Sequence, residues 1–562
     1  MKIVSKSIVF CMTNLIALSL NLSAPLNAAW NPTVIVDAPS NGVSTGPVLS
    51  VNASNNGVGV WSAQTPLFPD RRIFDDIYAA SYTFGSGWGL PVTISDASLY
   101  PNGERKYTSQ GDPDVRMNAS GYAIAVWEGD SRDLQANLEL GIFSATRSSS
   151  GVWSSVQRVS ALNLTDPDFD PVNPTVAVND PGLGVAVWYE ALFSNVYIMT
   201  SFLPFGGTWT PPVELDNLGT FSQPEQPPEV AINANGNVVA TWYSRANTGN
   251  FIISAATYDP LTSLWTTVIL DSNPDTSSQP ITGIDDKGNA VAVWVRQVGP
   301  NPQIVASSFT IGTGWGTPVV LDQGNFDIFV DNPYVVMDHF GTATAVWNSN
   351  KTGTDQVFSS TLPLGETWSA PTQISTTGQN GVFVPLTPVL ADVDDLGNVI
   401  VIIYSDSGIQ SVLKTIQGGW QPPESIDNNP RSRNQINIGI GSCGFALSLW
   451  SQGPGFGQPT SIAASDNLEL LNYLSPPSNF VGLRCCNKFA TQKSCLNRLS
   501  WTADECAASY VLRRNGVIIA TIPAGGSTSF EDPVCGKNPS VYTLSVISGN
   551  GVESPGISIT LP

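Results

Sequence analysis

The segment I-D-D-K-G-N-A-V-A-V-W, Ile284 to Trp294, sets an acidic, Gly-containing turn ahead of a short apolar run that ends in Trp. Related segments recur at Val51 to Trp61, Met117 to Trp127, Val178 to Trp188, Ile232 to Trp242, Met337 to Trp347, Val393 to Tyr404 and Ile440 to Trp450. A second signal alternates with the first: a Trp, usually after Gly or Thr, that leads into a short strand often containing Pro. It occurs at Trp30, Trp88, Trp153, Trp209, Trp265, Trp315, Trp368 and Trp420. Successive members lie 50 to 65 residues apart, and the two signals together use 15 of the 16 Trp residues. Periods of this size belong to propellers, solenoids and arrays.

Strand content separates these architectures. From Pro280 the chain reads P-I-T-G-I-D, a turn at Asp286 to Gly288, N-A-V-A-V-W-V, then Q-I-V-A-S-S-F-T and W-G-T-P-V-V-L. Four strands joined by hairpins make one propeller blade. Both faces of Ala290 to Trp294 are apolar, as expected of a strand covered on both sides. The eighth unit has no fourth-strand Trp after it, whereas Trp30 to Val36 is a fourth strand without a first. The expectation is therefore an all-β chain: an eight-bladed β-propeller whose N-terminal strand completes the last blade, followed by a small β-sandwich. A shorter ring with an irregular unit, or two packed propellers, are the alternatives.

Bulk properties agree. Gly (50) and Pro (42) are abundant in 562 residues while charged residues are 12%, which suits short strands and turns. The net charge is −21, and the 24 Lys and Arg residues form no stripe that could neutralise phosphates, which argues against nucleic acid as a partner. Lys2 and Lys6, the apolar Ile8 to Leu20 and the small residues up to Ala28 read as a signal peptide over residues 1–28. The propeller then spans 29–474 and the sandwich 475–562. No later apolar stretch is long enough for a helical membrane span. The mature chain is expected to be secreted, or periplasmic in a bacterium. Its six cysteines, Cys443, Cys485, Cys486, Cys495, Cys506 and Cys535, are disulfide candidates by number and compartment.

After Ser475 the pattern changes to short alternating strands, with Trp501 at the end of an early one and Tyr542 opening a late one. This stretch resembles a fibronectin type III domain with Tyr542 in the tyrosine-corner position. The resemblance implies that Cys485, Cys486 and Cys495 lie in the first interstrand loop, near Cys535, and that Cys506 lies at the opposite end, within reach of Cys443. The propeller is distantly similar in architecture to sialidases. Their Ser-x-Asp-x-Gly-x-x-Trp repeat is absent, because Gly288 and Trp294 stand six positions apart.

Chemistry is harder to read. G-V-S-T-G at Gly42 to Gly46 matches a hydrolase nucleophile motif but precedes Pro47 and a strand, where that motif needs a strand-to-helix turn. His339 is the single His and sits in a hairpin turn, which argues against a Ser-His-acid triad and His-rich zinc sites. Acidic turns such as Asp285-Asp286 and Asp394-Asp395 are expected to cap hairpins without metal. Asp166, Asp168 and Asp170 alternate carboxylates in an inter-blade loop and are the candidate calcium ligands; no other cofactor is expected. Long loops are expected between strands two and three and between blades, all on one face. Arg71, Arg72, Asp75, Asp76, Glu128, Asp130 and Arg132 fall in these expected loops and are the candidate binding residues, because long loops on a rigid scaffold concentrate function. The reading is an exported binding or adhesion protein whose loop face meets a glycan or protein on a cell or matrix surface. The alternative is a carbohydrate-active hydrolase with two carboxylates in the funnel.

Overall fold

The computed structural model describes residues 10–12, 30–37, 43–66, 73–95, 107–132, 138–161, 170–192, 195–216, 221–222, 227–245, 251–272, 277–325, 330–375, 389–405, 408–416, 419–427, 432–453, 460–467, 477–488, 493–503, 507–524, 526–533, 539–547 and 553–561. The chain is nearly all β and divides into two units, Trp30–Asn467 and a second built on Leu468–Pro562.

The first unit contains eight antiparallel sheets. Their innermost strands are Ser44–Val51, Tyr107–Met117, Asp170–Val178, Glu229–Ile232, Ser277–Ile284, Val330–Met337, Leu390–Val393 and Ser432–Ile440. Each packs against the next and the last packs against the first, so the sheets close into a ring as the eight blades of a β-propeller. Val34–Asp37 pairs with Ser461–Asn467, with Val34 opposite Ala464, and supplies the outer strand of the eighth blade.

The Ala-x-Ala-x-Trp alternation explains how neighbouring blades lock. In the second blade Ala123, Ala125 and Trp127 face Val58 and Val60 of the first, while Ile124 and Val126 face Ala186 and Trp188 of the third. Ala343, Ala345 and Trp347 meet Val291 and Val293 in the same way. Small residues beside an indole leave room for the branched side chains opposite, which gives interdigitation at close-packed density. Trp61, Trp127, Trp188, Trp242, Trp294, Trp347 and Trp450 are fully buried. Three of these indoles donate to an acid that ends the outer strand of the preceding blade. Trp61 reaches Asp37 at 2.9 Å, Trp294 reaches Asp271 at 2.7 Å and Trp347 reaches Asp322 at 2.8 Å. Where that terminal residue is Ser, the hydroxyl accepts a backbone N–H of its own blade, as Ser160 does from Ile142 and Ser375 from Val357.

The turn ahead of each apolar run caps itself. Asp285 Oδ1 accepts the N–H groups of Lys287 and Asn289, and Asp394 does the same for Leu396 and Asn398. These carboxylates are satisfied by backbone, and no cluster of potential metal ligands occurs among the described residues. Where the residue is Asn, its amide also reaches the next blade: Asn118 donates to the Asn179 and Asp180 carbonyls, and Asn179 to the Asn233 carbonyl. The following Gly is left-handed, Gly182 at φ +90° and Gly288 at +89°. It is also covered: a Cβ on Gly182 would lie 2.5 Å from Phe205, the apolar tip of that blade's second hairpin. His339 bridges three blades on this face, Nδ1 lying 3.1 Å from Asp286 and Nε2 3.0 Å from Asp395.

In the second unit Val481–Lys488, Lys493–Ser500 and Ser529–Asp532 form one sheet, to which Phe10–Met12 adds an edge strand. Val517–Pro523, Ser509–Arg514, Ser540–Ile547 and Ile557–Leu561 form the other. Leu499, Tyr510, Leu512, Tyr542, Leu544 and Leu561 pack between them as a sandwich core. Two details differ from expectation. Cys485, Cys486 and Cys495 stand on paired strands rather than in a loop, because the first hairpin runs on to Lys488 and Lys493. The Tyr542 hydroxyl donates to the Asp532 side chain at 2.6 Å and accepts from Asn497 at 2.7 Å, where a tyrosine corner would bond backbone. Asp532 is already drawn inward by Arg514, so it offers the stronger acceptor. Cys506 and Cys535 and the side chain of Cys443 lie outside the described residues.

Candidate ligand site in the central channel

Six inner strands carry a proline at one equivalent position, Pro47, Pro113, Pro174, Pro228, Pro280 and Pro333. In five of them, and in the eighth blade ahead of Ile436, the preceding residue is left-handed: Gly46, Asp112, Asn173, Gln279, Asn332 and Gln435, with φ between 43° and 63°. Strand pairing slips at each of these places. These are β-bulges repeated around the rim, and a bulge bends its strand and re-aims the side chains that follow. Left-handed backbone at a residue such as Gln279 costs free energy unless its surroundings hold it. Here Gln279 Oε1 accepts the Asn332 N–H at 3.0 Å and Gln435 Oε1 accepts the Gly46 N–H at 2.6 Å. The rim is thus stitched from blade to blade. Gly46 belongs to this stitch at the head of a strand, which removes the G-V-S-T-G motif from hydrolase chemistry.

Just inside the rim the inner strands line a cavity of about 840 Å³. Among the residues that line it, Asp114 and Arg116 come from the second blade, Glu229 from the fourth, Tyr334 from the sixth and Asp392 from the seventh. Three of them are committed. Arg116 Nη1 pairs with Asp114 Oδ1 at 2.8 Å, and Asp114 Oδ2 accepts the Val176 N–H at 2.9 Å. Asp392 accepts the N–H groups of Ile440 and Val393, both at 2.9 Å. The Glu229 carboxyl and the Tyr334 hydroxyl have no hydrogen-bond partner among the described residues. Burial holds the Glu229 carboxyl up at about 7 despite Arg116, and burial holds Asp392 at about 6 despite its two N–H donors. The charge of Asp114 raises the Arg116 guanidinium further, so it stays a cation.

The residues assigned to loops fall elsewhere. Asp75 and Asp76 lie on Ile73–Thr83, and Glu128, Asp130 and Arg132 lie on Ala123–Arg132, because these hairpins stay paired well beyond Trp61 and Trp127. Asp76 is buried and accepts from Ser95. Glu128 accepts the Asn173 N–H across the blade junction, and burial raises its carboxyl to about 7. Asp75 feels the charges of Asp76 and Asp130, so the structure groups these three at one junction. Asp170 opens an inner strand near Glu128. Arg71, Arg72, Asp166, Asp168 and the Arg132 side chain lie outside the described residues. The channel residues were missed because each sits alone in its own repeat. The proline five places before the Asn or Asp turn was the available signal: the residue after it is Asp114, Glu229 or Tyr334 in three blades.

No family model matches the chain, and no curated protein does. Solved structures do align. Polysaccharide lyase Uly1 aligns at 8% identity and TM-score 0.41 over 66% of this chain and 94% of its own. A fungal alcohol oxidase solved with copper aligns at 14% identity and TM-score 0.40, over 95% of this chain and 100% of its own. The intramolecular trans-sialidase from Ruminococcus gnavus aligns at 12% identity and TM-score 0.33, over 77% and 96%. Likeness of this degree concerns the fold alone.

Proposed function

We propose that this is an exported binding protein that takes a glycan at the mouth of its propeller channel, with the sandwich as a spacer or second contact. The observation that carries the reading is the pair of uncommitted polar groups, Glu229 and Tyr334, inside a cavity of about 840 Å³ framed by a stitched, rigid rim. Convergent polar groups in a preformed concave site are the usual mark of a ligand site. Hydroxyl-rich ligands suit donors and acceptors presented from several blades at once. Glycan-array screening and calorimetry on the mature protein test the reading; a blank array overturns it.

A second reading has one specific observation behind it. A carboxyl held near 7, as Glu229 is, matches the proton donor of a glycosidase, with Asp392 or Asp114 as the second carboxyl. We rank it below binding because Asp114 and Asp392 are already bonded within the protein. Turnover of any glycoside in a hydrolase panel, abolished by Glu229→Gln, would reverse that ranking.

The remaining assignments extend this reading. Residues 1–28 are the export signal, and their removal takes Phe10–Met12 off the sandwich edge. The second unit is a fibronectin type III-like domain, supported by its three-plus-four strand arrangement around Trp501 and Tyr542. Cys486 lies opposite Cys495 in register, which supports disulfide cross-linking of its first hairpin. Calcium at Asp166, Asp168 and Asp170 remains a proposal, to be checked by thermal unfolding with and without chelator.

A further inference from the structure

We infer that the channel ligand carries a primary ammonium group, held between the Glu229 carboxylate and Tyr334, so that its chemical class is an amino sugar rather than a neutral or acidic one. This rests on the glycan reading and narrows it. The charged groups facing the cavity are Asp112 at the exposed rim, Asp114, Arg116, Glu229 and Asp392, so one cation stands against four acids. That cation is spent, since Arg116 is already paired with Asp114. Asp392 has two backbone donors in place of a counter-ion. Glu229 accepts no hydrogen bond among the described residues, and the one cation acting on it, Arg116, is already paired with Asp114. An anionic ligand would meet excess negative charge, with the one cavity guanidinium already in an ion pair through Nη1. A neutral ligand would leave the Glu229 charge unanswered as it displaces water from the partly buried carboxylate. An ammonium answers it by charge-assisted hydrogen bonds. Tyr334, on the sixth blade, adds a phenol oxygen as acceptor and a ring face of the kind cations favour. Burial, with the charge of Asp114, raises the Glu229 carboxyl, and seating a cation beside it should expel the proton that Glu229 holds near neutrality.

The test uses the mature protein with a glucosamine tetramer and its fully N-acetylated counterpart, by calorimetry at about pH 6, where the ligand amines are already protonated, in two buffers of different ionisation enthalpy. The expected result is binding of the amine form at least about tenfold tighter than the acetylated form, as loss of a charge-assisted pair implies. It is accompanied by net proton release. Glu229→Gln should remove both the preference and the proton release, and Tyr334→Phe should weaken binding without removing the preference, with near-UV dichroism of both variants unchanged. Equal binding of the two oligomers, or binding of the amine form that Glu229→Gln leaves intact, overturns the ammonium inference and leaves the glycan reading standing. If neither oligomer binds while other glycans on an array do, the ammonium inference likewise falls alone; if the array too is blank, both fall.

Discussion

The turn face and the channel of the propeller are built from the two ends of the same eight inner strands, yet they treat polar groups in opposite ways. On the turn face the Asn or Asp of each hairpin serves its own backbone, and the Asn residues also serve the next blade. In the channel Glu229 and Tyr334 bond none of the described residues. The Asn and Asp turns are satisfied in blade after blade, so departures from the repeat are informative. Asp114, Glu229 and Tyr334 occupy the position where other blades place Val48, Thr175, Ile281 or Leu390, and Asp392 the position where others place Ser50, Ala231 or Gly283.

The contrast can be broken at its structural end first. Trp294→Ala removes a fully buried indole and leaves Asp271 without that donor, so denaturant unfolding should show a loss of about 3–5 kcal/mol. Gly182→Ala places a Cβ against Phe205 at φ +90°, and a loss of about 1–3 kcal/mol is expected. Adding Phe205→Ala should relieve the clash but not the backbone strain, so partial recovery in a double-mutant cycle is the sharper result.

Two titrations then separate the regions. Glu229 is raised from 4.5 to about 7 in the fold, so the folded state holds its proton more tightly and stability falls as pH rises between those values. Glu229→Gln should flatten that decline, by about 1 kcal/mol at pH 7, in chemical unfolding at several pH values. His339 is raised from 6.5 to about 9 by the Asp395 and Asp286 carboxylates. Its contribution is complete below 6.5 and is lost as pH rises to about 9. The pair is half-exposed, so solvent screening leaves well under 1 kcal/mol, and His339→Gln should remove a shallow slope in that window.

Architecture was legible because it is repeated. The apolar run that ends in Trp294 has its like in six other blades, with Tyr404 ending the run of the remaining one, and the outer Trp positions mark the blades. The Asp that ends an outer strand, as Asp271 and Asp322 do, also repeats, and it was visible as the last residue of V-I-L-D and V-V-L-D. The channel was not legible. Asp114, Glu229, Tyr334 and Asp392 are separated by whole blades in sequence, and only ring closure makes them neighbours. The charged residues beyond Trp61 and Trp127 misled for a related reason: Asp76 and Asp130 look like loop acids, but their strands continue pairing and bury them.

The strand that completes the eighth blade has a consequence for how the molecule assembles. Asn31 bonds Asp466, 435 residues away, so the closing contacts span almost the whole first unit. A chain delivered from its N-terminus presents Val34–Asp37 first and must keep it unpaired until Ser461–Asn467 arrives. Loop closure on that scale is late and slow relative to formation of the individual blades. Until it happens the third strand of the last blade is an open edge, competent to pair with Val34–Asp37 of another copy. Refolding should therefore show a final phase that speeds up when the two strands are joined by circular permutation, while above some protein concentration the unpermuted chain yields strand-exchanged oligomers in its place.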